Sequence, residues 1–382
     1  MNIAFLTPEY PHEKTGNSGG IGTSIKNLAV SLVSLGHTVR ILVYGQKQDT
    51  VFSDNLITIQ QIKNVKLRGF SRFLTQNKIE KIINTLYKNN EIDIVEAADW
   101  TGITSFIQPK CPMVIKLHGS DTYFCHLDNR PVKSINKFLE KRALKKATGH
   151  IAVSKFVADT TNTIFNLNIK FKIIPNGLNL ALFNQEPKNI LKQDEQVILY
   201  FGTLIRKKGA LELPLIFNEV VKSNPQAKLL LVGKDSSDNV TGSSSTWQLM
   251  QNLFTKHALA NVSYLGGVPY NEVKNYIEQA TVCIFPSFAE AFPVSWLEAM
   301  AMKKAIVASN VGWASEMIES GKEGILIHPT NHTLYGKAIV EVLNNKQLRE
   351  QMGENAFKKI ENNFTNINIA KQNLIFYQSI IK

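Results

Sequence analysis

Two glutamates, Glu290 and Glu298, stand in the run Pro286-Ser287-Phe288-Ala289-Glu290-Ala291-Phe292-Pro293-Val294-Ser295-Trp296-Leu297-Glu298-Ala299-Met300. The apolar residues Thr281 to Phe285 before it have the pattern of a strand buried on both faces. Leu297, Met300 and Ala301, followed by Ala305-Ile306-Val307, predict a helix and then another strand. One carboxylate therefore sits in a loop at a strand's carboxyl end. The other sits about two turns away on the following helix. Open parallel α/β sheets bind ligands at that edge. Carboxylates accept hydrogen bonds from hydroxyls, and sugars and riboses are rich in hydroxyls.

Three further stretches carry candidate chemistry. Gly202-Thr203-Leu204-Ile205-Arg206-Lys207-Lys208-Gly209 closes a predicted strand with three adjacent cations between glycines. Arg binds phosphate with two parallel hydrogen bonds and Lys supplies a point charge, so the run suits a diphosphate; a basic surface loop is the other reading. Gly19-Gly20-Ile21-Gly22 precedes a predicted helix from Thr23. Such glycines let a backbone approach a phosphate or sugar at a helix start, or simply form a flexible connection. The spacing is not the dinucleotide fingerprint. His118-Gly119-Ser120-Asp121 ends the strand Met113 to Leu117, where His118 is either structural or part of a site. No Asp-x-Asp pair and no His/Cys/carboxylate cluster has metal-ligand spacing, so metal: none is the expectation. Charge on a departing diphosphate then falls to Arg206, Lys208 and helix N-termini.

The elements that position these residues follow from the apolar runs. Ile3 to Leu6, Val39 to Tyr44, Ile92 to Glu96, Met113 to Leu117, His150 to Val153 and Lys172 to Ile174 occupy the first half. Gln196 to Phe201, Ala227 to Val232, Val262 to Leu265, Val282 to Phe285, Ala305 to Ala308 and Gly324 to Ile327 occupy the second. Short β-rich runs alternating with helical stretches imply βαβ units and parallel sheets. The fold class is α/β, with two doubly wound Rossmann-like domains facing each other across a cleft. The turn Pro175-Asn176-Gly177 marks the boundary. The polar segment from there to about Glu195 reads as a linker. Domains are expected over 1–180 and 181–364, with a terminal helix over 365–382 carrying Ile369, Asn373, Phe376, Tyr377 and Ile380 at helical spacing.

Composition narrows the setting. The chain has 382 residues, 44% of them hydrophobic, enough for two cores. Cys111, Cys125 and Cys283 form no metal motif, and an odd count argues against a disulfide framework, so a reducing cytoplasmic setting is expected. Met1 to Pro8 reads as a short strand, not a signal peptide, and no stretch is apolar enough to span a membrane. The net charge of +12 lies mostly in residues 1 to 183, which hold 23 Lys and Arg against 13 Asp and Glu. That excess is either a solvated surface or a face for an anionic partner. The segment Ile62 to Tyr87 interleaves Lys63, Lys66, Arg68, Arg72, Lys78 and Lys81 with apolar residues, the pattern of a basic amphipathic element at an anionic membrane surface, or of an ordinary loop and helix. No nucleic-acid module is visible.

In order along nearly the whole chain, these segments resemble the retaining glycosyltransferases of family 4, which have the GT-B architecture. The glycine loop, His118-Gly119-Ser120-Asp121, Ala152-Val153-Ser154, Pro175-Asn176-Gly177, the Gly202 to Gly209 run, the Glu290 to Glu298 pair, Gly312-Trp313-Ala314-Ser315-Glu316 and Gly321-Lys322-Glu323-Gly324 all carry the likeness. The resemblance implies a nucleotide sugar, UDP- or GDP-linked, on the second domain and a glycan or lipid-linked acceptor on the first. No separate cofactor is implied. Gly19, Gly20 and Gly22 are then expected near the donor's phosphates and sugar. Glu290 holds the sugar, and the backbone of Ala291, Phe292, Pro293 and Val294 contacts sugar and phosphate. Glu298 binds the ribose hydroxyls, Arg206 and Lys208 face the diphosphate, and His118 lies beside the donor sugar. The terminal helix crosses back onto the first domain. Thr203 stands where the family usually has Arg, Pro293 where it often has Gly, and Asn179 where Asp is common. Pro293 has no N–H, so one donor to the sugar is missing.

The reaction implied is transfer of a hexose to a hydroxyl with retained configuration and without a metal, in cell-surface polysaccharide or glycolipid synthesis. The family's usual route is front-face attack, in which the leaving phosphate helps to take the acceptor's proton. Glu290 is then a binding residue, not the nucleophile of a double displacement. Thr203 and Pro293 motivate two alternatives, a non-catalytic sugar-nucleotide-binding scaffold and a nucleotide-sugar epimerase. The expected location is cytoplasmic and peripheral on the inner face of the membrane.

Overall fold

A computed structural model describes residues 1–16, 18–183 and 196–381. The chain divides into two compact units, Met1–Gly177 with Phe364–Lys382, and Leu178–Asn363. Most of the expected linker lies outside the described residues.

The first unit is built on eight strands: β1 Asn2–Thr7, β2 Thr38–Gln46, β3 Thr50–Asp54, β4 Ile57–Lys63, β5 Ile94–Ala98, β6 Met113–Leu117, β7 Gly149–Ala152 and β8 Lys172–Ile173. Their order is β3-β4-β2-β1-β5-β6-β7-β8. All neighbours are parallel except β3 and β4. The central strands β5 and β6 are buried at every residue, as strands covered by helices on both faces must be. The edge hairpin β3–β4 has no counterpart among the expected strands. Its sequence alternates apolar and polar residues, and its turn is made by Asn55 at φ 53° followed by Leu56, without the Asn-Gly pair that signals a hairpin. Ile62 to Tyr87 is accordingly not one amphipathic element. It comprises the end of β4, a loop, and most of the helix Ser71–Lys88.

The second unit holds β9 Val197–Phe201, β10 Lys228–Val232, β11 Val262–Tyr264, β12 Val282–Phe285, β13 Ala305–Ser309 and β14 Ile325–Ile327. They form one parallel sheet in the order β11-β10-β9-β12-β13-β14. Each of the twelve apolar runs became a strand. Among the described residues, no helix is long and apolar enough to cross a membrane.

The terminal helix Asn366–Ile381 belongs to the first unit. Ile369, Ala370, Leu374 and Tyr377 join the core formed by β1, β2 and the helix Gly20–Ser34. Gly177 lies so close that a Cβ there would stand 2.6 Å from the Asn366 amide oxygen. The Tyr377 hydroxyl donates to buried Glu96 at 2.6 Å. Burial pushes the Glu96 carboxyl up, while the Lys116 ammonium and the Tyr377 bond pull it back. Tyr377→Phe removes that donor from a buried carboxylate and should cost about 1–3 kcal/mol in urea unfolding. An unchanged midpoint would show that Glu96 finds another partner.

Candidate functional site

β9 and β12 are neighbours in the sheet, so the loops leaving their carboxyl ends lie side by side. After β9 the chain turns at Gly202 and enters the short turn Arg206–Lys208, closed by Gly209 at φ 70°. Gly209 is a position only glycine can fill, because a Cβ there would stand 1.9 Å from the Pro286 carbonyl oxygen. The approach has a purpose. The Lys207 carbonyl accepts hydrogen bonds from Phe288 N–H at 2.8 Å and Ala289 N–H at 3.2 Å. The cationic turn is thus fastened to the loop that carries Glu290. Gly209→Ala should destabilise the unit by about 2–4 kcal/mol. A loss under about 0.5 kcal/mol in denaturant titration would mean that the turn adapts freely.

The fastening brings opposite charges together. Lys208 Nζ lies 3.1 Å from Glu290 Oε1, and both side chains stay partly accessible. From Glu290 the loop passes Ala291, Phe292 and Pro293 into the helix Val294–Ala301. The N-cap residue, Pro293, makes no side-chain cap bond to that helix. Glu298 lies on the same helix, 5% exposed. The Tyr270 hydroxyl donates to its Oε1 at 2.6 Å. Burial pushes the Glu298 carboxyl up to about 7, against the opposing pull of Tyr270 and the Lys208 ammonium. Lys208 therefore acts on both carboxylates of the pair.

Arg206 is placed differently from Lys208. Its Nε and Nη2 donate to Asp238 Oδ1 and Oδ2 at 2.9 and 2.7 Å. Asp238 also accepts from the Thr241 N–H and hydroxyl, and the Arg206 bonds first, then these, hold its carboxyl well below the usual range. The guanidinium is ion-paired before any ligand arrives, and it keeps 40% side-chain exposure. Thr203 is exposed, and its carbonyl accepts from the Tyr200 hydroxyl.

On the first unit, Gly19, Gly20 and Gly22 lie at the start of the helix Gly20–Ser34. The Gly22 N–H already donates to Glu9 Oε1 at 2.9 Å, so a side chain from the loop after β1 caps this helix. His118 follows β6, with its N–H bonded to Asp99 Oδ1 at 3.0 Å. Glu140 accepts from the Asp121 and Thr122 N–H groups, each at 3.2 Å. Two buried carboxylates thus hold the His118-Gly119-Ser120-Asp121 turn by its backbone. Burial and the nearby Glu140 charge push Asp99 up to about 7, despite its backbone bonds. Burial and the Lys116 charge push His118 down to about 3, so the imidazole is neutral at physiological pH. Part of His118 remains accessible.

Tyr270, Asp238, Glu9, Asp99 and Glu140 were not legible as site residues. Each acts on a partner 13 to 32 positions away. Gly321-Lys322-Glu323-Gly324 proves to be a structural turn, since buried Glu323 accepts from Glu319 N–H and pairs with Lys359 at 3.2 Å. Among the described residues, no three His, Cys, Asp or Glu side chains converge as a ligand set.

Two α/β units, each built on a sheet that is parallel apart from the β3–β4 edge, and a cation beside two carboxylates at strand carboxyl ends, define a GT-B glycosyltransferase architecture. A family model for glycosyl transferases group 1 matches residues 183–359, and one for glycosyltransferase family 4 matches residues 18–182. An uncharacterized glycosyltransferase of Methanocaldococcus jannaschii is 27% identical over 99% of this chain and 98% of its own length. Among solved structures, sucrose-phosphate synthase from Thermosynechococcus elongatus shares the fold with a TM-score of 0.80 at 20% identity, covering 100% of this chain and 99% of that one. Anabaena HepE, solved in complex with UDP-glucose, shares it with a TM-score of 0.75 at 20% identity, with 99% of each chain covered. The chain belongs to the group 1, family 4 glycosyltransferases, and it is a transferase.

Proposed function

We propose that this transferase moves a hexose from a UDP-sugar to a hydroxyl of a glycan or lipid-linked acceptor, with retention and without a metal. The observation that carries the reading is the fastened pair of loops holding the Lys208 ammonium 3.1 Å from Glu290, next to Glu298 on the helix Val294–Ala301. In this reading Glu298 accepts the ribose hydroxyls. The N-terminus of the helix Val294–Ala301 receives the diphosphate, as helix N-termini do. Lys208 neutralises the charge that develops as the sugar–phosphate bond breaks. Glu290 orients both the ammonium and the sugar hydroxyls. His118, neutral and partly accessible, exchanges a single hydrogen bond with a sugar hydroxyl. HepE's complex with UDP-glucose supports a uridine donor.

The Arg206–Asp238 pair favours a second reading, a sugar-nucleotide-binding protein without turnover, because it withholds a cation from the phosphates. Product analysis separates the two. Transfer should yield a glycoside in which the anomeric proton coupling matches that of the donor sugar. An inverted coupling would rule out retention, and tight donor binding with no glycoside would favour the second reading. Addition of a metal chelator should leave the rate unchanged, and a rate restored only by a divalent ion would refute the metal-free mechanism.

A further inference from the structure

Tyr270 differs from the other tyrosines that hold a carboxylate. Tyr10 donates to Asp54 at 2.9 Å and Tyr377 to Glu96 at 2.6 Å, and both residues are wholly buried. Tyr270 donates to Glu298 at 2.6 Å but is 48% exposed. A tyrosine that only supplies a donor to a buried carboxylate gains by burying its ring as well. Tyr270 anchors its hydroxyl and leaves its ring in solvent.

Its place in the fold adds a second observation. Tyr270 is the first residue of the helix Tyr270–Gln279, directly after Pro269 at φ −57°. That helix follows β11, whereas the helix bearing Glu298 follows β12. The strands between β11 and β12 in the sheet are β10 and β9. The phenol thus joins two helices from opposite sides of the β10–β9 pair. The strand ends on that side finish in glycine: Gly202 after β9, Gly233 after β10, and Gly266-Gly267 after β11. The Gly233 N–H donates to the Gly266 carbonyl at 2.8 Å, and a Cβ on Gly233 would stand 1.9 Å from the Gly202 carbonyl oxygen. The three ends are tied into a shelf without side chains. An exposed ring pinned beside such a shelf offers a face to a planar π system.

The neighbour decides which planar group arrives. In the transferase reading Glu298 accepts the ribose hydroxyls, and the base is joined to that same ribose. The donor hexose lies beyond the diphosphate, at the far end of the ligand. We propose that Tyr270 stacks the donor's nucleobase on its ring while its hydroxyl holds Glu298 for the ribose, so that one side chain couples base and ribose recognition. The identity of the ligand rests on the transferase reading above. Stacking accepts any base through its π face, so Tyr270 supplies affinity for the nucleotide, and the choice among bases falls to groups that meet the base edge.

Calorimetric titration of the full chain tests this with UDP and its 5,6-dihydro analogue, whose base keeps its hydrogen-bonding edge but loses its planarity. Wild type should bind UDP about tenfold or more tighter than the analogue. Tyr270→Leu should bind UDP roughly tenfold or more weakly than wild type and lose the preference between the two. Tyr270→Phe keeps the ring and should keep the preference. It lacks the hydroxyl bond that, with the Lys208 ammonium, opposes the effect of burial on Glu298. Its UDP affinity should therefore begin to fall at a higher pH than that of wild type as pH is lowered, a shift that a purely packing role would not produce. Equal binding of UDP and the analogue by wild type would overturn the stacking role, even if Tyr270→Leu fails to fold. A preference that survives in Tyr270→Leu would overturn it too, and an unmoved pH response in Tyr270→Phe would remove the hydroxyl's part. UDP binding without the preference leaves the transferase reading standing. Wild type that binds neither UDP nor GDP refutes that reading, and the base role falls with it.

Discussion

Lys208→Ala should lower kcat by about two to three orders of magnitude while changing donor affinity far less. The reason is where charge appears. In the ground state the donor's diphosphate is already solvated or bonded to backbone N–H groups. As the sugar departs, the terminal phosphate gains charge, and an ammonium aimed there stabilises the transition state more than the bound donor. The fastening of the Arg206–Lys208 turn to Phe288 and Ala289 fixes that aim. Arg206 cannot replace it, because its guanidinium is committed to Asp238 through two hydrogen bonds. Lys208→Arg should recover little, since the longer planar group does not fit the 3.1 Å contact with Glu290. Single-turnover kinetics with saturating donor reads the effect. A mutant that loses affinity and keeps its rate would make Lys208 a binding residue only.

Glu298→Ala should weaken UDP binding about a hundredfold, the loss of two hydrogen bonds to a buried carboxylate. Glu298→Gln gives the sharper test, because stability and binding should move in opposite directions. The Glu298 carboxyl titrates at about 7 in the folded chain, above its ordinary value of 4.5. Between those values the folded chain holds a proton that the unfolded chain has released. Stability therefore falls as pH rises through this window, and above pH 7 the full cost is in place, on the order of 3 kcal/mol. Glutamine avoids the cost and still accepts from Tyr270. The nucleotide-free variant should thus be at least as stable as wild type at pH 8. Its nucleotide affinity should be weaker and should lose the pH dependence near 7 that wild type shows. In wild type, affinity should fall as pH drops through 7, because protonation removes an acceptor from the ribose hydroxyls. Calorimetric titration of UDP from pH 6 to 8 measures this. Equal affinities for wild type and Glu298→Gln throughout would refute the ribose role.

The strands were legible because burial on both faces leaves a continuous apolar run, as in Val282 to Phe285. β3 and β4 were not, because an edge hairpin alternates and its Asn55-Leu56 turn lacks the glycine signal. The site divides along the same line. The Lys208–Glu290 contact lies at the carboxyl ends of two runs that the sequence marks as strands, and their adjacency in the sheet makes the contact. Asp238 and Tyr270 left no local trace. Asp238 sits in a loop after β10, and Tyr270 begins a helix of mostly polar residues. Their partners are set by the sheet order, which periodicity does not encode. Glu9 is a related case, since the glycine loop suggested an open helix start and its own preceding loop supplies the cap.

The most direct test of the account is nucleotide release from UDP-glucose by the purified chain, with and without a lipid and glycan extract. The account predicts UDP release that requires the extract and collapses in Lys208→Ala. Release that is equal without any acceptor, or no release from UDP-, GDP- or ADP-sugars under either condition, would contradict it.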